Sequence, residues 1–157
     1  MNLDEKFRDN WKDYILQSAY AAFTVLFITL ILKLDHAVII ASIGATAFIV
    51  FSMPNNIASE PKRIIGGHTI GFIVGTCFSI FPFSDWLFFS GLWYALAVGI
   101  SFFIMSVTDT EHPPAVGTAL GMTIVGYSDT AAIGIFMGII ILALIHHYLR
   151  PYIRNLV

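Results

Sequence analysis

The stretch LFFSGLWYALAVGISFFIMSVTDTEHPPAVGTALGMTIVG, Leu87 to Gly126, decides what kind of fold this chain can have. Its first 21 residues are almost wholly apolar, which is long enough to cross a bilayer as a helix. Then come two acids, a histidine and two prolines, followed by a second apolar run that is too short. That run, 112–126, reaches roughly 22 Å of a core roughly 30 Å thick. It is therefore expected to be a short or broken helix, completed by backbone that the protein itself shields from lipid.

The rest of the chain agrees with a membrane setting. Of 157 residues, 57% are hydrophobic and only 11% charged, where a soluble domain carries about 25%. Mean hydropathy is +0.81. The net charge of −2 leaves no basic surface for nucleic acid. The one cysteine, Cys77, cannot form an internal disulfide. No removable leader is apparent, so targeting by the spans themselves is expected. Apolar runs fall at 15–34, 36–53, 64–81, 87–107, 112–126 and 130–149. The fold expected is all-α: a polytopic transmembrane helical bundle of about six membrane segments in a single domain, 15–157. Before it, Leu3, Phe7, Trp11 and Tyr14 recur at helical spacing, which predicts an interfacial amphipathic helix over 1–14.

Basic residues settle the expected sidedness. With six crossings and a cytoplasmic N-terminus, Lys6, Arg8, Lys12, Lys62, Arg63, Arg150 and Arg154 all lie inside and only Lys33 outside. If 112–126 merely dips and returns, the split falls from seven against one to five against three. Six crossings with both termini cytoplasmic, in a bacterial inner membrane, is the expectation.

The order long span, short span, glycine-paired span occurs twice. KLDHAVIIASIGAT (Lys33–Thr46) resembles TDTEHPPAVGTA (Thr108–Ala119), and the pair Gly67 and Gly71 matches Gly134 and Gly138. Three spans per half require the second half to be inverted, so a 3+3 inverted repeat is expected, with a substrate site at the interface between halves. The stripe Gly67, Gly71, Gly75 predicts close helix packing.

Pro113 and Pro114 suit the first turn of a helix, where an N–H would be unpaired anyway. The N–H groups of Ala115 and Val116 and the helix dipole make that end a candidate anion site, with room left by the small residues and a hydroxyl from Thr118. His112, and more weakly Asp109 and Glu111, are candidates because ionisable groups at membrane depth are usually functional; a solvated loop is the competing reading for the two acids. His68, next to Gly67, sits inside the third run. Lys62 and Arg63 before it form the basic loop between spans, and Arg63 suits a planar oxyanion, although both also serve as topology determinants. His146 and His147 read as interfacial residues at a helix end.

Two stretches resemble the HPP family of integral membrane proteins: Glu111-His112-Pro113-Pro114-Ala115, and Pro61-Lys62-Arg63-Ile64-Ile65-Gly66-Gly67-His68. Ser42 to Ala47 is similar to that family's second span. The family is usually described with four spans, and its basic loop reads Pro-Arg-Asn, where this chain has Pro61-Lys62-Arg63. The resemblance implies a transporter or channel for a small inorganic anion, with nitrite the leading candidate because plastid and cyanobacterial members are implicated in its transport. The expected partners are the anion, the bilayer and further copies in a homo-oligomer. No catalytic residue, cofactor or metal is expected. Rival readings are a non-transporting assembly subunit, and a metal-dependent membrane enzyme using His112 with Asp109 and Glu111, or His146 with His147.

Overall fold

The computed structural model describes residues 5–31, 36–81 and 87–157. Lys33 and the acid of the Lys33–Thr46 repeat, Asp35, lie outside them, as does Leu3. Six α-helices follow one another: α1 (Glu5–Ile31), α2 (Ala37–Ser52), α3 (Pro61–Ser79), α4 (Leu87–Val107), α5 (Pro113–Val125) and α6 (Asp129–Leu149), with a short 3-10 turn at Ile57–Ser59 before α3. The five helices from α2 onward fall within a few residues of the apolar runs. Their ends have local causes. Proline opens α3 and α5. Ser128 caps α6 by accepting from the Ala131 N–H at 3.1 Å. Gly126, at φ 79°, ends α5 in a backbone conformation that suits glycine.

Among the described residues, three segments within α1, α4 and α6 are long and apolar enough to cross a membrane: Lys6–Leu30, Phe88–Val107 and Asp129–Leu149. The helices α2 and α5 are apolar but shorter. The chain is an all-helical membrane bundle. α1 is kinked at Asn10, where φ is −128° and ψ 22°, so a short helical stretch from Glu5 leads into the longer one that reaches Ile31. Its polar groups are held by the C-terminal tail: Tyr14 donates to the Leu156 carbonyl at 2.7 Å, Gln17 to that of Arg154 at 2.8 Å, and Asp13 pairs with Arg154 at 3.2 Å.

The same contacts put one end of every helix on one face. The tail also reaches the end of α2, where the Leu156 N–H donates to the Ser52 carbonyl. The start of α3 pairs with the turn between α4 and α5 through Lys62, Arg63, Asp109 and Glu111. His146 near the end of α6 meets Pro54 and Ser59. Helix direction thus alternates along the chain, and Lys6, Arg8, Lys12, Lys62, Arg63, Arg150 and Arg154 belong to this one face.

The closest packing joins α3 to α5, which run parallel. A Cβ at Gly67 would stand 2.8 Å from His112 Cβ, and one at Gly75 would stand 2.6 Å from Met122 Cβ. One at Gly71 would collide with the Ala115 carbonyl oxygen. On the other side, Gly138 of α6 receives Ile43 of α2 and Ile28 of α1. Exchanging α1 with α4, α2 with α5 and α3 with α6 reverses each helix's direction and keeps part of the packing. α1–α2 answers α4–α5, and α2–α6 answers α5–α3, while α2–α5 and α3–α6 map onto themselves; the α3–α4 contact has no comparable α6–α1 counterpart. Helix order and direction are those a 3+3 inverted repeat requires, and the packing matches it only in part.

These contacts predict a position-specific effect. Gly71→Ala forces α3 from α5 and is expected to cost about 1–3 kcal/mol, the usual range for overpacking. Gly99→Ala, on α4 with nothing within 4 Å, should change stability by less than about 0.5 kcal/mol. Thermal unfolding of the two variants in one detergent measures the difference.

Candidate functional site

Five polar side chains from three helices meet in the interior. Ser42 and Thr46, one turn apart on α2, point at α3 and α5. His68 comes from α3, and His112 and Thr118 from α5. All are buried, His68 and Thr46 at 0% exposure. Ser42 donates to the Pro114 carbonyl at 2.6 Å and lies 2.8 Å from Thr118 Oγ1. Thr118 Oγ1 is 2.7 Å from His68 Nδ1. On the other edge of that ring, His68 Nε2 is 2.9 Å from Thr46 Oγ1, which is 3.0 Å from His112 Nε2. His112 Nδ1 closes the string by donating to the Ala58 carbonyl at 2.7 Å. The two rings stand 5.1 Å apart, tilted by 50°. Both halves of the chain contribute to this string, so it lies between them.

The glycines make this meeting geometrically feasible. Gly67 removes the side chain that would hold His112 away, and Gly71 lets the next turn of α5 close in. Pro113 and Pro114 fix the first turn of α5, with His112 as the extended residue before it (φ −136°, ψ 96°). At the helix end expected to receive an anion, two backbone groups have partners within the protein. Ala115, fully buried, gives its N–H to the His112 carbonyl at 2.9 Å, and Ser42 covers the Pro114 carbonyl. Val116 is half-buried and takes no part in the side-chain string.

A second cluster sits at the basic face. Thr110 N–H donates to the Met105 carbonyl, closing α4 with Asp109 at φ 54°, the left-handed position that usually favours glycine. This turn aims the Asp109 carboxylate at Lys62, 2.8 Å away, and at Arg63. Arg63 also pairs with Glu111, and its side chain is 7% exposed. The loop cations read as a basic mouth are therefore already held by carboxylates. Bonds from Lys62 and Arg63 keep the Asp109 carboxyl below its usual range.

Among the sequence candidates, the structure brings His68, His112 and Thr118 together, with Gly67 beneath them and the Pro114 carbonyl at one end. It gathers Lys62, Arg63, Asp109 and Glu111 into the separate ion-pair cluster. Among the described residues, no three His, Cys, Asp or Glu side chains gather as a metal-binding group. His112 points inward, away from the ion pairs, and His146 is buried while His147 is exposed. His146, expected at the interface, instead ties α6 to the 54–59 turn through Pro54 at 2.9 Å and Ser59 at 3.1 Å. Ser42 and Thr46 were missed as site residues. Their signal was present as two hydroxyls four residues apart on an apolar helix.

A cleft of about 640 Å³ abuts the His112 end of the string. It is lined by Ala45, Phe48, Met53, Asn56, Ala58 and Pro113, with others.

Fold and site together define a polytopic helical membrane protein with a buried imidazole–hydroxyl core. The HPP transmembrane region matches residues 6–129, and the chain belongs to that family. It is also similar to a transmembrane protein of Dictyostelium discoideum, 33% identical over 84 residues, or 53% of this chain. The matched part is 29% of that relative's length. No solved structure matches.

The depressed carboxyl has a signed consequence. Its ion pairs contribute stability above the ordinary carboxylate pKa of about 4 and lose it as pH falls through the lower folded value. Unfolding midpoints measured down the acid range should fall for the wild type, and Asp109→Asn should flatten that fall.

Proposed function

We propose that this HPP family protein moves a small inorganic anion across the membrane, with nitrite the leading candidate. The observation that carries this reading is the buried string from Ser42 to His112. Polar and ionisable groups inside a membrane bundle are costly and are generally kept for a pathway, and this one lies between the two halves of the chain, where an inverted repeat would place a substrate site. The cleft beside Pro113 offers the approach. The anion reaches the His112 end of the string there rather than the N–H groups of α5, and an imidazole proton accompanies it. The face holding Lys62 and Arg63 is the cytoplasmic one, with both termini, in a bacterial plasma membrane. In this reading the N-terminal segment expected over 1–14 is the part that meets the bilayer surface. A homo-oligomer belongs to the same reading, because a bundle of this size leaves little room for a pathway.

Nitrite uptake into proteoliposomes holding the purified chain tests it. Uptake above empty vesicles is expected, reduced roughly tenfold or more in His112→Ala, equivalent to about 1.4 kcal/mol of barrier or more. Uptake that is absent for nitrite, nitrate and formate alike would sink the reading.

A further inference from the structure

The string from Pro114 to Ala58 has a property that follows from counting protons. It begins and ends on carbonyl oxygens, which only accept. Between them stand Ser42, Thr118, His68, Thr46 and His112, linked by six contacts of 3.0 Å or less. Each contact needs one proton. Three hydroxyls and two neutral imidazoles supply five. In every arrangement of hydroxyls and tautomers, one close contact is left with two lone pairs facing each other. Thr46 deepens the shortage, because its hydroxyl also lies 3.0 Å from the Ser42 carbonyl.

One added proton completes all six contacts of the string, leaving the Thr46–Ser42 carbonyl contact without a proton, and it can do so in two ways. With the extra proton on His112, Nδ1–H donates to Ala58 and Nε2–H to Thr46. Thr46 then donates to His68 Nε2, His68 Nδ1–H to Thr118, Thr118 to Ser42, and Ser42 to Pro114. With the extra proton on His68, both of its N–H groups donate, Thr46 turns to donate to His112 Nε2, and every other bond stays as it was. The two states differ only by the protons on either side of one hydroxyl.

We propose that His68 and His112 together bind a single proton and exchange it across the hydroxyl of Thr46. A second proton is excluded, because two positive rings at 5.1 Å repel. The ionisable groups around the pair are few. Glu60, Lys62 and Arg63 stand at the start of α3, Asp109 and Glu111 lie in the turn between α4 and α5, and His146 of α6 reaches the 54–59 turn from its other side. Lys62, Arg63, Asp109 and Glu111 are engaged with one another. The helices α2, α4 and α5 carry no Asp, Glu, Lys or Arg. The proton count depends on the hydrogen-bond string alone and holds whatever solute is carried, so it stands or falls separately from the anion reading.

Imidazole ¹⁵N spectra of histidine-labelled full-length protein in lipid nanodiscs test it, with signals assigned from His→Gln variants at His36, His146 and His147. As pH is lowered, His68 and His112 should respond with one common midpoint and together take up one proton. Thr46→Val, which keeps the shape and removes the hydroxyl, should abolish the common midpoint, and Thr46→Ser should retain it. The proposal is overturned if both rings stay neutral over the whole pH range in which the protein is folded. It is equally overturned if the pair takes up two protons, or if Thr46→Val leaves the shared midpoint in place.

Discussion

Backbone contact between α3 and α5 governs the rest of the molecule. In a bilayer, apolar side chains gain little by leaving lipid for one another, so helices associate through close van der Waals fit and interhelical hydrogen bonds. Gly67, Gly71 and Gly75 lay a strip of α3 with no side chains against His112, Ala115, Ala119 and Met122. That depth of approach sets the 5.1 Å spacing of the two imidazoles. It also brings the start of α3 beside the turn before α5, where the ion pairs form.

Two polar clusters result, roughly one and a half helical turns apart along α3. At the rim, Arg63 and Lys62 meet Asp109 and Glu111, charge against charge, partly in water. Farther in, His68 meets two hydroxyls and an imidazole. The rim cluster orders the turn between α4 and α5, and that turn sets where His112 enters the bundle. Asp109 takes the left-handed backbone position itself, so the residue that closes α4 also supplies the carboxylate. Every group of the inner cluster has a partner within hydrogen-bond distance, although its neutral side chains supply one proton fewer than its six close contacts need.

The two halves of the chain arrange their helices in the same order around an asymmetric centre. Gly67 and Gly71 correspond in sequence to Gly134 and Gly138; Gly67 and Gly71 meet the α5 segment, and Gly138 meets Ile43 of α2 and Ile28 of α1. Between them, however, His68 corresponds to Ile135, which is fully buried in an apolar cluster. The polar chemistry thus gathers where α3 and the start of α5 meet Ser42 and Thr46 of α2, while Ile135 of α6 packs among apolar residues.

Much of the architecture was legible in the sequence. The apolar runs gave five of the helices to within a few residues. The double proline marked the start of α5, and the glycine spacing gave the face by which α3 packs. His68 and His112 were recognisable as site residues because ionisable groups are rare inside such runs. These features are local, set by composition, periodicity and the fixed geometry of proline and glycine. What the tertiary structure alone decided is which groups face each other. It turned Lys62 and Arg63 from a free basic mouth into one side of an ion-pair cluster. It gave two backbone groups at the α5 N-terminus partners in Ser42 and the His112 carbonyl, buried His146, and made Thr46 the bridge between two histidines 44 residues apart in the chain. Sequence spacing fixes which side of a helix a residue occupies, but partners across helices depend on rotation and depth, and those are set only when the helices pack.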